Sequence, residues 1–225
     1  MGEGNNEGEQ HLENCKNYGK ITIDLSNFCS RSGNDYNNVG GVIGYCCGVY
    51  NADNKVYTER NYVKNIENHG EIIVTAPNAT TVKSYQRIGG CIGYLLYSEC
   101  DGATNYADMN ILDVPLTNGG GFRIGGVVGY MNDVDGSPIG GILKNATNAK
   151  NAIIFISVTL KAKSSMIQAG AVLACCEKHV FLTNLTNEGR IINAGVPNSA
   201  VFGGVVGRAY SSSVMTNLVN KGTLE

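Results

Sequence analysis

The chain has 225 residues, of which 16% are charged, with a net charge of −2, 30 glycines, four prolines and no tryptophan. That length suffices for one sizeable core or an elongated array. The near-neutral charge leaves no footprint for nucleic acid or an anionic membrane, and no apolar run approaches the ~20 residues of a membrane-spanning helix. Glycine at about twice its usual share, with so little proline, calls for tight turns or close-packed backbones rather than collagen or a proline-rich tail.

Residues 1–11 open as MGEGNNEGEQ and read as a polar tail without a signal peptide. A single repeat domain follows over 12–225. LENCKNYGKI from Leu12 leads into alternating Ile21, Ile23 and Leu25, and GGVIGY follows at Gly40. Tyr62-Val63 introduces VKNIENHGEI, then Ile72 and Val74, then GGCIGY at Gly89. ATNYADMNIL from Ala103 runs into Leu112, Val114 and Leu116, followed by GGVVGY at Gly125. Ile142-Leu143 opens LKNATNAKNAI, and the degenerate GAVLAC stands at Gly170. Phe181-Leu182 opens LTNLTNEGRI, GGVVGR follows at Gly203, and Val214-Met215 opens MTNLVNKGTL. Period-2 alternation after each asparagine motif predicts a strand, each glycine motif a second, and the short apolar lead-in a third. No segment shows capped helical spacing.

Six asparagine motifs thus interleave with five glycine motifs at uneven spacing, the mark of fixed coils carrying loops of different length. The pattern N-x-x-N-x-G puts Asn14, Asn65, Asn105, Asn145, Asn184 and Asn217 in one column. Asn17, Asn68, Asp108, Asn148, Asn187 and Asn220 fall in a second. A third holds Gly19, Gly70, Asn110, Asn151, Gly189 and Gly222. Exchange of Asn for Gly in the third column points to a left-handed turn position. The predicted fold is all-β: a right-handed parallel β-helix (β-solenoid) of about five coils and three short strands per coil, spanning ~24 Å at strand spacing. Stacked asparagines would form ladders. Apolar or small residues on both faces of the glycine strand (Ile88 and Ile92 against Cys91 and Leu95) predict cover on both sides, with the long loops as candidates.

The repeated G-G-x-x-G-Y followed by N-x-x-N-x-G resembles the GLUG-motif repeats of bacterial surface and secreted proteins, from Leu12 onward. The resemblance implies β-helical repeats in a cell-surface module. Such repeats also occur beside the catalytic part of immunoglobulin A-cleaving metallopeptidases. This chain has no H-E-x-x-H, and its histidines are His11, His69 and His179.

Candidate chemistry is sparse. A dinucleotide loop would need a following helix and would not recur five times. Cys175, Cys176 and His179 in CCEKH lack a fourth zinc ligand. Cys46 and Cys176 share a column three coils apart, ~14 Å, too far for a disulfide. Most of the eight cysteines read as small buried hydrophobes, with Cys29 and Cys100 left as an open loop pair. Asp133 and Asp135 begin like a calcium loop but lack its closing Glu. No two acids stack one coil apart in a strand; Asp24 aligns with Thr75. Sequons at Asn78, Asn145 and Asn184 read as chance matches, two of them inside a column. Tyr45, Tyr94 and Tyr130 share a column and predict an aromatic stack.

The expected function is therefore a non-catalytic extracellular or cell-surface module, an adhesin-type binding surface or rigid spacer, with no catalytic, cofactor or metal residues assigned. Its expected partners are host glycans or surface proteins and neighbouring domains of a longer parent chain, with no nucleic acid and no membrane insertion. The signal sequence would lie outside this segment. Two alternatives stand beside it: a polysaccharide lyase or hydrolase on a β-helix scaffold, and a cytosolic scaffold.

Overall fold

The computed structural model describes residues 9–26, 36–51, 53, 56–117, 120–132, 140–160, 166–195, 200–210 and 212–225. These residues form a parallel β-helix with no α-helix among them. Four parallel sheets run along its axis. Sheet A stacks His11–Glu13 and Lys16–Asn17, Asn61–Asn68, Ser98–Asn105, Ile142–Asn148, Phe181–Asn187 and Val214–Asn220. Sheet B stacks Ile21–Asp24, Ile72–Thr75, Met109–Leu116, Ile153–Leu160, Arg190–Asn193 and Thr223–Leu224. Sheet C stacks Tyr36–Gly40, Tyr85–Gly89, Gly121–Gly125, Met166–Gly170 and Ala200–Gly203. Sheet D stacks Ile43–Cys47, Ile92–Leu96, Val128–Asn132, Leu173–Cys176 and Val206–Ala209. The three strand positions expected per coil are all present. The glycine-motif strand is creased at its Gly-Gly, and this crease divides it between sheets C and D.

The crease has a fixed geometry. A Cβ on the first glycine of the motif would lie 1.8–2.0 Å from the carbonyl oxygen three residues on: Ile43 for Gly40, Ile92 for Gly89, Val128 for Gly125, Leu173 for Gly170 and Val206 for Gly203. No side chain fits such a corner. The second glycine abuts an asparagine amide: Gly41 with Asn68, Gly90 with Asn105, Gly126 with Asn148, Gly204 with Asn220. The two repeated motifs therefore touch across the coil. Their contact divides the interior into two lobes. One lies between sheets B and C and holds Ile72, Val74, Ile88, Ile111, Phe122, Ile124, Ile154 and Ile167. The other lies between A and D and holds Val63, Ile66, Ile92, Leu95, Cys100, Met131, Leu143 and Leu182.

An asparagine ladder runs along the contact. Nδ2 of Asn17 donates to Asn68, Asn68 to Asn105, Asn105 to Asn148, Asn148 to Asn187, and Asn187 to Asn220, at 2.8–3.2 Å. The register corrects the third coil: Asn105 pairs with Asn68 and Asn148 and belongs to this second column, which Asp108 does not enter. Gly102 then occupies the first column, level with Asn65. Ala107 takes the place expected of Asn110, offering its carbonyl to Asn105 as Gly70 does to Asn68, while Asn110 pairs with Ile73 inside sheet B. In the fourth coil Ile153 pairs with Arg190, so Ala152 rather than Asn151 lies level with Gly189.

The left-handed position is likewise the first column and not the glycine column. Asn14, Asn65, Asn145, Asn184 and Asn217 have φ of 52–57°, and Gly102 has 82°. The glycine column is small because backbone crowds it: a Cβ on Gly70 would meet the Gly19 carbonyl at 2.0 Å, and one on Gly222 the Gly189 carbonyl at 1.8 Å. First-column side chains form a second, exposed ladder that donates in the opposite sense, Asn217 to Asn184 to Asn145 and on to Asp101.

Candidate functional site: a tyrosine–arginine groove

The crease turns the outer faces of sheets C and D toward each other, and side chains from both sheets meet there. Sheet C contributes the column Asn38, Arg87, Arg123, Gln168 and Val201, with Tyr36 and Tyr85 two residues earlier. Sheet D contributes Tyr45, Tyr94, Tyr130, Cys175 and Arg208. The expected tyrosine stack is present, with ring centroids 5.0 Å apart from Tyr45 to Tyr94 and from Tyr94 to Tyr130.

The guanidinium of Arg87 lies 3.8 Å from the Tyr36 ring centroid, 4.2 Å from Tyr94 and 4.5 Å from Tyr130. Arg123 lies 3.9 Å from Tyr130. Such cation–π contacts strengthen as water is removed. Arg87 is only 9% exposed; one nitrogen donates to Asn38 at 3.4 Å, and its Nε has no hydrogen-bond partner. Burial pulls its pKa below the usual arginine value, the nearby tyrosines opposing and Arg123 adding to the shift. Nε of Arg123 donates to Gln168 at 3.2 Å, and Glu177 is 3.9 Å from one of its terminal nitrogens. The Tyr130 hydroxyl donates to that same Glu177. Burial pushes Tyr94 up to about 12, and burial together with the Glu177 bond raises Tyr130 as well. A cavity of about 170 Å³ opens beside Arg123, walled by Tyr36, Tyr85, Met166, Gln168 and Tyr210.

The long loop after Cys47 covers part of sheet D, as expected of the long loops. Val49–Asn51 and Val56–Glu59 pair as an antiparallel hairpin, and Tyr57 packs against the cluster of Tyr94, Leu96, Tyr130 and Cys175.

The other candidates fall apart spatially. Cys175 faces the tyrosines whereas Cys176 faces the A–D lobe, so the adjacent thiols point to opposite sides of one strand. Among the described residues no three His, Cys, Asp or Glu side chains converge on a point that could hold a metal. Cys46 and Cys176 are indeed separated by Leu95 and Met131 in one column. Cys100 is not a loop residue but is buried within a strand of sheet A, and Cys29, the other half of the pair left open, lies outside the described residues, as do Asp133 and Asp135. Asp24 stacks on Thr75. Asn145 and Asn184 belong to the exposed ladder, and Asn78 sits in a turn. His69 is sandwiched between Tyr18 and Tyr106 at 4.7 and 4.6 Å, with Nε2 2.7 Å from Glu67, and His11 stacks on Tyr62.

Sequence reasoning misses the arginine pair, although a signal is there: Arg87 and Arg123 each stand two residues before a Gly-Gly. No described helix is long and apolar enough to cross a membrane. Compared with family models, with curated proteins and with solved structures, the chain finds no match.

Proposed function

We propose that this chain is a non-catalytic repeat module of a cell-surface or secreted protein, and that the tyrosine–arginine groove is its binding surface. The observation that carries the reading is Arg87: a charged, nearly buried side chain held in an aromatic cage with an unused Nε. Coil stacking requires apolar interiors, corner glycines and amide ladders, and it does not require cations there. The GLUG-like repeat pattern supports the surface location.

Acids elsewhere support a non-catalytic reading over a lyase or hydrolase. Glu67 pairs with Lys16 and His69, Glu71 with Lys20, Glu99 with Lys144, Glu188 with Lys221 and Glu225 with Arg190. These are separate ion pairs rather than facing carboxylates flanking a cleft. A glycan and host-protein binding array tests the proposal, with Tyr85→Ala as the groove control. Binding that this variant loses supports a groove-based adhesin; a uniformly negative array moves the reading to a rigid spacer.

A further inference from the structure

Charge in the groove is unbalanced. Arg87 and Arg123 are neighbours across one strand pair, and Arg208 lies in the adjoining sheet D column. Arg208 rests over Tyr210 at 4.5 Å and donates to the Met166 sulfur at 3.4 Å, a weak acceptor. Gln168 donates to the same sulfur at 3.0 Å and accepts from Arg123, which ties Arg123 and Arg208 to one small region. Among the described residues, the carboxylate that faces Arg123 is Glu177, and Tyr130 already donates to that same oxygen. Arg123 thus commits its Nε to a neutral amide, and the 3.9 Å contact of one terminal nitrogen with Glu177 is long, which leaves room for a closer acceptor.

The cavity beside Arg123 has the shape to admit that acceptor. Two of its aromatic walls, Tyr36 and Tyr210, are 37% and 38% exposed. Flat, half-exposed tyrosines offer an apolar surface with a polar tip. A guanidinium fork offers paired donors matched to a carboxylate or sulfate. At about 170 Å³ the space suits a single ring rather than a drug-sized ligand.

Resting on the groove as the binding surface, we propose that Arg123 and Arg208, backed by Arg87, hold the anionic group of an acidic sugar whose ring packs against Tyr36, Tyr85 and Tyr210. Isothermal titration with trigalacturonate, sialyllactose and a sulfated chondroitin disaccharide, against neutral trigalactose and a pentaglutamate peptide, tests it. At least one acidic sugar should bind, more weakly as salt rises, and should lose roughly ten-fold or more in affinity in Arg208→Gln and in Arg123→Gln. Arg208→Gln changes a side chain outside both cores, so its melting temperature should match the parent and exclude misfolding. Binding of no acidic sugar, equal binding by Arg208→Gln, or tighter binding of pentaglutamate overturns the inference. If neutral trigalactose binds best and Tyr85→Ala abolishes that binding, the groove stands and its preference for acids falls.

Discussion

The inner ladder should matter far more than the outer one, and Asn148→Ala against Asn184→Ala measures the difference. Asn148 is buried; it accepts from Asn105 at 3.2 Å and donates to Asn187 at 3.1 Å. Losing two such bonds costs about 1 kcal/mol each, and one stranded donor on Asn105 adds about 1 kcal/mol. The stranding is partial, because Asn105 still reaches the Ala107 carbonyl and Asn187 still accepts from Gly189. The expected loss is about 3 kcal/mol. Asn184 makes equally short bonds, 2.9 and 3.0 Å, but in solvent, where water replaces them. Its φ of 57° adds a left-handed penalty of ~1 kcal/mol for alanine. Asn184→Gly removes the amide without that penalty and should be nearly neutral. Urea unfolding followed by circular dichroism reads all three, with the m-value checking that the array unfolds as one unit. Equal losses for Asn148→Ala and Asn184→Ala would refute the buried ladder, and an Asn184→Gly as damaging as Asn184→Ala would refute the conformational argument.

Two further outcomes follow from burial. Cys91 and Cys175 are pushed up to about 12 and Cys176 to about 11, all chiefly by burial, so these thiols should resist a disulfide reagent at about pH 8 until the protein unfolds. Rapid labelling of Cys91 in the native protein, read by peptide mass spectrometry, would contradict its place in the core. Tyr94 has a folded pKa of about 12 against 10.0 for the free side chain. Its neutral form is thus favoured by folding, a contribution fully present below about pH 10 and lost as pH rises from about 10 toward about 12. Alkaline titration at the tyrosinate absorbance should show late-ionising tyrosines that titrate normally in denaturant; a single ordinary transition in the native protein would count against the stack.

The sequence carries the coil plan because every coil must bury the same positions. Val63, Cys100, Leu143, Leu182 and Met215 stack in one column, and each stands two residues before a left-handed Asn or Gly. The third coil misleads by coincidence: Asn105, Asp108 and Asn110 imitate the motif three residues late. Gly102 followed by Asn105 is the true match, since Gly and Asn share tolerance for positive φ. The groove is harder to read. Arg87 and Tyr94 stand on different strands, and only the crease angle brings them to 4.2 Å. A one-dimensional pattern shows that the chain turns at Gly-Gly but holds no information about how sharply.

The degenerate fourth coil offers an internal control on that crease. It reads Gly170, Ala171 and Ala174 where the others have three glycines, so alanine is accommodated at the second and third positions but not at the first. The geometry gives the reason. The first glycine is blocked by a carbonyl of its own turn, Val128 at 1.8 Å from a Cβ on Gly125, and that atom cannot retreat without opening the corner. The second and third face neighbouring strands, the Ala171 carbonyl for Gly126 and the Gly93 and Ile88 backbones for Gly129, which can shift with the coil. Gly125→Ala should therefore cost more than ~3 kcal/mol, and Gly126→Ala or Gly129→Ala about 1–2 kcal/mol, within the usual range for overpacking. Thermal melts of the three variants decide it. If Gly126→Ala is as damaging as Gly125→Ala, the clash between coils is as rigid as the one within the turn, and the fourth coil must escape it by a local rearrangement rather than by ordinary give. If the predicted order holds, the crease is set within each turn, and the angle at which Arg87 and Arg123 meet the tyrosines is a property of every coil rather than of the stack.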